Sequence, residues 1–177
     1  MQLKPLLFRC ASILSIASTI VIGAQSSEAQ FGNYYCGTSD GLPTTIYQSP
    51  EGQKNPLIRW KTTLGQKWDP QTRCEEVSQR FIRFDGENTL AFLTTGTVRN
   101  MPVVCAVRQQ GEICNDQYNS DRVLFTLPVG RNANEALEQL LGFASTIENG
   151  DPRSYYNGRT YVNVDKWILR NRRLYRR

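Results

Sequence analysis

The side chains that could do covalent or metal chemistry in this chain are its cysteines and carboxylates, because it contains no histidine. Without an imidazole, Ser-His-Asp and Cys-His nucleophile systems are excluded, and the commonest metal ligand is missing. Metal sites typically use close cysteine pairs, often with histidine, whereas the cysteines here are widely spaced. The sequence therefore predicts no metal and no cofactor.

Four cysteines follow the N-terminal apolar segment: Cys36, Cys74, Cys105 and Cys114. In an exported domain an even number is best interpreted as two disulfides, and four cysteines allow three connectivities. We favour the pairing in which Cys36 joins Cys74 and Cys105 joins Cys114. The first bond would tie an early strand to a helix, and the second would close a short hairpin.

Carboxylates leave one route to catalysis, a hydrolase that acts on envelope glycans with two acidic side chains. Such a pair must face across a cleft at about 5 to 10 Å. The candidates are Glu75, Glu76, Asp85 and Glu87. Glu75 and Glu76 are adjacent on a predicted helix and point about 100° apart, so they cannot flank one bond together. We expect these carboxylates to be solvated, and we keep the hydrolase as the alternative function.

Arg73 and Arg80 lie on one side of the same predicted helix, where both could bind a carboxylate or phosphate in bidentate fashion. Glu76 and the nearby chain offer simpler partners. Glu76 and Arg80 have the favourable i, i+4 order, which contributes about 0.3 kcal/mol. We favour this second interpretation, in which the arginines have structural partners.

The N-terminal segment predicts export. Lys4 and Arg9 precede an apolar run over 10–24, and a small-residue cleavage site ends at Ala29. We predict a signal peptide over 1–29, since the apolar run is short against the ~20 residues of a membrane span. Its removal takes two of the 21 basic and one of the 16 acidic residues, which leaves a net charge of +4. We expect the mature chain to be exported.

Short strands and helices must position these side chains. Residues 34–37, 44–47 and 57–61 mix aromatic and β-branched residues between turn signals, which predicts three strands. Residues 89–95 and 103–107 predict an antiparallel hairpin. Further along the chain we predict a strand at 123–127, a loop over 145–158 and a short edge strand at 161–164.

Two segments have helical periodicity. Asp69 and Pro70 are strong start signals, because Asp accepts backbone N–H bonds as a cap and Pro suits the first helical position. This helix should run to about Phe84 and bury one apolar stripe: Cys74, Val77, Ser78, Phe81 and Phe84. A second helix is predicted over 132–144.

This order of elements predicts an α+β fold, since a βαβ unit would need regular alternation of strands and helices. We expect a mainly antiparallel sheet packed by two helices and stabilised by two disulfides, over residues 30–164. A small open barrel with peripheral helices is the alternative.

The remaining segment, 165–177, is basic and predicted to be amphipathic. If it is helical, Trp167, Ile168, Asn171, Leu174 and Tyr175 share one side. Basic residues occupy the other side, and such a helix suits the headgroup region of an anionic bilayer. We predict that an anionic surface is bound by Lys166, Trp167, Arg170, Arg172, Arg173, Arg176 and Arg177. In the alternative, 167–169 pack on the domain and only the final arginines form a loose tail.

The chain also resembles a known family. The resemblance is based on the following residues in their order along the chain: Cys36, 43–45, 58–60, the 73–78 segment Arg-Cys-Glu-Glu-Val-Ser, Arg80-Phe81, Thr95-Gly96, 103–105, Cys114 and 124–127. In these residues the mature chain is similar to the circadian oscillating protein domain of cyanobacteria. The resemblance implies an exported protein, associated peripherally with membranes, whose abundance cycles daily. It implies no enzymatic activity and transfers no catalytic or ligand residue.

These observations predict a non-enzymatic protein of the cell envelope or thylakoid. Together with the resemblance, the predicted export implies that the mature chain lies in the periplasm, in the thylakoid lumen or at the membrane periphery. Its basic excess suits an anionic membrane surface or an acidic envelope partner. Nucleic-acid binding fits the charge and the aromatic residues but conflicts with export, so we expect none. The sequence predicts no particular oligomeric state.

Overall fold

The computed structural model describes residues 33–130, 132–142 and 150–174. Within those residues, eight strands form two antiparallel sheets that pack with three helices. The α+β class is confirmed, although the strands divide between two sheets and the helices number one more than predicted. The elements are β1 (Asn33–Ser39), β2 (Leu42–Gln48), β3 (Lys54–Arg59), α1 (Pro70–Gly86), β4 (Phe92–Val98), β5 (Met101–Val107), β6 (Val123–Thr126), α2 (Ala133–Leu140), β7 (Arg153–Tyr156), β8 (Arg159–Asn163) and α3 (Val164–Leu174).

The first sheet, in the order β1-β2-β3, carries α1. Asp69 caps this helix, since its carboxylate accepts the backbone N–H of Thr72 at 2.9 Å, and Pro70 occupies the first helical position. The predicted stripe is buried in full, together with Arg73. A disulfide between Cys36 and Cys74 joins β1 to the helix, as predicted.

The second sheet has the order β6-β5-β4-β8-β7, and β4 and β5 form the predicted hairpin. The second predicted disulfide, between Cys105 and Cys114, holds the following loop against this hairpin. Gly96 permits that approach, because a Cβ atom there would collide with the backbone carbonyl of Cys114. Thr97 donates its backbone N–H to the same carbonyl at 3.2 Å. The Trp60 ring meets the Phe125 ring edge-on at 5.5 Å, which connects the core of the two sheets.

Two predictions about the second sheet are wrong. Residues 153–156 were predicted as loop but form β7, and β8 is an interior strand between β4 and β7 rather than an edge strand. Asn157 and Gly158 join these strands with φ angles of +48° and +74°. Positive φ at both positions is the geometry of a two-residue type I′ hairpin, for which Asn-Gly is the strongest sequence signal. The turn signal was therefore present but was assigned to a loop.

The helices α2 and α3 complete the packing. Asn132 caps α2, and Leu137 and Leu141 are buried. The predicted extent of this helix to 144 is wrong, because the helix ends at Leu140 with Leu141 as its C-cap. Residues 143 and 144 lie outside the described residues. The third helix, α3, follows β8 directly and inserts Trp167 and Ile168 into the main core. None of the helices in the described part of the chain is both long enough and apolar enough to span a membrane.

Candidate functional site

The packing of α3 separates the predicted surface-binding residues into two groups. Trp167 is fully buried and Ile168 nearly so, and Asn171 is also buried. The prediction that Trp167 contacts an anionic surface is therefore wrong, because its indole fills the core beneath the helix. Lys166 and Arg173 are exposed. Arg176 and Arg177 lie outside the described residues.

The outward side of α3 presents a short basic surface. Lys166, Leu169, Arg170 and Arg173 recur at i, i+3, i+4 and i+7, which places them on one face. We call these four residues the basic face of α3. Leu169 is 50% exposed and Arg170 is half-buried. This surface thus has an apolar residue between cations, although it is not the apolar residue that the sequence predicted.

Arg172 belongs to a different environment from the basic face of α3. It is half-buried, and its positive charge opposes the effect of burial, which raises the pKa of Tyr47 on β2. A hydrogen bond with Ser49 is the main reason that the pKa of Glu51 is lowered, and the charge of Arg172 lowers it further. Arg172 therefore lies toward the first sheet, which corrects the prediction of a single basic side.

The four candidate catalytic carboxylates show no sign of a working pair. Glu75, Glu76 and Glu87 are exposed. Glu75 accepts a hydrogen bond from Gln71 at 2.6 Å, and Glu76 forms the predicted ion pair with Arg80 at 3.8 Å. Among the described residues, no group of three or more Cys, His, Asp or Glu side chains is arranged to hold a metal ion.

Asp85 is the exception among these carboxylates. It is half-buried, and burial, followed by the negative charge of Asp165, raises its pKa above the ordinary value. Its acidic neighbour comes from α3, which no pattern in the sequence connected to Asp85. Tyr34 on β1 and Tyr47 on β2 lie in the same environment, since the charges of Asp85 and Asp165 add to the burial that raises both phenol pKa values.

Asp85→Asn should stabilise the fold at neutral pH and leave it unchanged in strong acid. Because the folded-state pKa is raised, the folded protein binds this proton more tightly than the unfolded chain does. Stability therefore falls as pH rises from the ordinary carboxyl range through the raised pKa. Urea unfolding from about pH 3 to about pH 8 measures this, and the two curves should separate as pH rises. Exposed Glu87→Gln is the control, and a difference that is constant with pH would contradict the prediction.

Arg73 and Arg80 do not converge on one ligand. Arg80 donates to the backbone carbonyl of Leu124 on β6 at 2.8 Å, in addition to its pair with Glu76. Arg73 instead lies over the Trp60 ring, 4.5 Å from its centroid, and donates to the Thr62 carbonyl at 3.1 Å. The hypothesis that the two arginines share one ligand is therefore wrong. The prediction that Glu76 pairs with Arg73 is also wrong.

Sequence reasoning missed a buried ionic network between α2 and the β7-β8 hairpin. The Arg153 side chain is fully buried and forms ion pairs with Glu138 at 2.8 Å and Asp151 at 2.6 Å. Glu138 also accepts hydrogen bonds from Tyr155 at 2.9 Å and Thr160 at 3.0 Å. Burial opposes ionisation of Asp151, but hydrogen bonds from Arg153 and the charges of Arg153 and Arg170 outweigh it and lower the pKa. This network fixes the hairpin from which α3 continues.

A comparison with protein families gives one match. The family described as circadian oscillating protein COP23 matches residues 33–169. The match begins at β1 and ends within α3, so it covers both sheets, all four paired cysteines and the start of the basic face of α3. No curated protein and no solved structure matches this chain.

Proposed function

This chain belongs to the circadian oscillating protein COP23 family, and on that premise we propose that it is an exported, non-enzymatic protein that attaches reversibly to an anionic membrane surface. The basic face of α3 makes the contact. The observation that carries this proposal is the buried Trp167, which packs α3 on the domain and leaves its basic face outward. The expected export, and the peripheral location that the family resemblance implies, agree with such a role.

The packing also limits how the helix can bind. With Trp167 and Ile168 in the core, the apolar side of α3 is unavailable for insertion between lipids. Leu169 is the one apolar member of the basic face of α3, and it is exposed. Each cation near an anionic bilayer contributes about 1 kcal/mol, and this attraction is screened by salt. Attachment is therefore shallow, reversible and sensitive to ionic strength.

Glycan hydrolysis has less structural support than membrane attachment. It needs two carboxylates that face each other, with burial that raises the pKa of one of them. Three of the four candidates are exposed, and burial, followed by the charge of Asp165, raises the pKa of Asp85. Neither Asp85 nor Asp165 lines the cavity of about 500 Å³ between β3, α1, α2 and α3. No observation in the described residues favours glycan hydrolysis over membrane attachment.

The double variant Lys166→Glu/Arg173→Glu should bind anionic vesicles at least about 30-fold more weakly, since two contributions of about 1 kcal/mol are lost and repulsion replaces them. Co-sedimentation of the exported, oxidised protein with vesicles of phosphatidylcholine and phosphatidylglycerol at low salt measures the change. Arg99→Glu/Arg108→Glu is the matched control, because both arginines are exposed on the β4-β5 hairpin and the net charge changes equally.

The outcomes of this experiment separate three cases. Strong loss in the α3 variant alone supports the proposal. Equal loss in both variants would show that only net charge matters, and unchanged binding in both would exclude the basic face of α3; an acidic protein partner would then remain as the occupant. In the cell, washing with salt should release the protein from membranes, and its N-terminus should be Gln30.

A further inference from the structure

A cavity of about 500 Å³ lies between β3, α1, α2 and α3. Its apolar lining includes Leu57, Trp60, Leu140 and Leu141, and its polar lining includes Arg59, Lys61, Arg73 and Asn171. The volume is within the range of small-molecule sites, and six of the twelve lining residues are polar or charged. Three of the lining residues are cationic and none is acidic.

Arg73 is the unusual member of this lining. The residue is only 8% exposed, yet no carboxylate of the described chain lies within ion-pair distance of it. A guanidinium has five N–H donors, and the structure gives Arg73 one hydrogen bond, to the Thr62 carbonyl at 3.1 Å. Burial also lowers the pKa of this guanidinium. A buried cation is costly unless an anion accompanies it, and the described residues offer Arg73 a carbonyl and an aromatic ring but no anion.

The surroundings fix how Arg73 is presented. Its guanidinium lies 4.5 Å from the centroid of the Trp60 ring. The Trp60 indole donates to the Thr45 hydroxyl at 3.0 Å, which in turn lies 3.2 Å from the Ser78 hydroxyl oxygen on α1. The stacked pair is thus held by both β2 and α1, and a preorganised guanidinium loses little entropy when it binds an anion.

We propose that this cavity binds a small organic anion, whose carboxylate or phosphate group pairs with Arg73 while its apolar part lies against Leu57, Trp60 and Leu140. The planar guanidinium matches both anionic groups in bidentate geometry. Lys61 is exposed and adds positive charge at the opening. The charge of Arg59 is already engaged by Asp40 at 2.8 Å, so Arg59 contributes less.

This site is separate from the basic face of α3. The cavity meets α3 at buried Asn171, whereas the basic face of α3 points outward. The Lys166→Glu/Arg173→Glu variant should therefore bind a small anion normally. Failure of membrane attachment and failure of the cavity to bind an anion are consequently distinguishable.

Phenyl phosphate and benzoate are suitable probes, with benzyl alcohol as their uncharged counterpart and inorganic phosphate as the anion without an apolar part. Isothermal titration calorimetry of the exported, oxidised protein should show saturable binding of at least one organic anion, with a dissociation constant below about 10 mM. Arg73→Gln should weaken that binding about tenfold or more, the effect of losing a hydrogen-bonded charge. Arg73→Lys keeps the positive charge but loses the bidentate geometry of the guanidinium, so it should weaken binding less than Arg73→Gln does.

Two further variants keep the test decisive. Arg83→Gln removes one charge from the far end of α1 and should leave binding unchanged. Lys61→Gln changes an exposed side chain and should not affect folding. It should weaken anion binding about threefold, and it therefore tests the proposal even if Arg73→Gln does not fold. The proposal is overturned if neither organic anion binds saturably, if both cavity variants bind like the parent protein, or if inorganic phosphate or benzyl alcohol binds as tightly as phenyl phosphate.

Discussion

Replacing both Cys36 and Cys74 by alanine should lower the free energy of unfolding by about 4 kcal/mol. The bond joins residues 38 positions apart, so its removal raises the conformational entropy of the unfolded chain by the amount that closing this long loop had cost. Cys74 is fully buried in α1, which adds a packing loss to the entropic one. The result should be a large destabilisation, because this bond connects the first sheet to the helix at the centre of the core.

Urea unfolding followed by far-UV circular dichroism measures the effect, with the corresponding Cys105→Ala/Cys114→Ala variant for comparison. That second bond joins residues only 9 positions apart, so its removal should cost less, about 2.7 kcal/mol. If the Cys36/Cys74 variant were as stable as the parent, or lost less stability than the Cys105/Cys114 variant, the first bond would not have the role that its loop length implies.

Arg153→Met should lower the free energy of unfolding by about 3 to 5 kcal/mol, although it replaces a cation by an apolar side chain of similar length. Arg153 is fully buried, and its removal leaves Glu138 and Asp151 as uncompensated carboxylates that are themselves largely buried. Asp151 also loses the side-chain hydrogen bonds and the charge that lower its pKa, so its pKa should rise, while the backbone N–H of residue 153 still donates to it. The hairpin of β7 and β8, and α3 behind it, should be the first region to open.

Thermal and urea unfolding give the size of this effect, and hydrogen exchange of the backbone amides of β8 and α3 gives its location. Arg159→Met is the matched control, because this arginine lies on the same hairpin and its side chain forms no ion pair with any described residue. It should change stability by about 0.5 kcal/mol or less. A triple variant with Arg153→Met, Glu138→Gln and Asp151→Asn should recover part of the loss, and no recovery would argue against unpaired charge as the cause.

Most of the fold could be predicted because its signals are local. The cap at Asp69, the stripe from Cys74 to Phe84 and the β4-β5 hairpin each depend on residues within one helix or one turn. The β7-β8 hairpin had an equally local Asn-Gly signal and was missed only because the polar, tyrosine-rich flanks were assigned to a loop. By contrast, the division of the strands into two sheets depends on which strands pair across long sequence separations, and turn chemistry does not determine that.

The candidate sites depend far more on tertiary contacts. Glu138, Arg153 and Thr160 come from three different elements, so no spacing in the chain could bring them together, although Asp151 lies only two positions before Arg153. Arg73 was recognisable as a cation on the helix, but its exposure, its stacking on Trp60 and the cavity beside it follow from how β3, α2 and α3 surround it.

The amino-acid sequence by itself determined the family and the α+β class, because local motifs, periodicity and turn residues carry that information. It favoured one of three cysteine pairings, and the structure shows that this pairing forms. Only the tertiary structure decided the direction in which α3 faces. An amphipathic helix with an apolar side can bury that side in a bilayer or in its own domain with similar gain, since both remove apolar area from water. The core beneath α3 accepts Trp167, and this packing leaves Lys166, Leu169 and Arg173 exposed on the outward side of the helix.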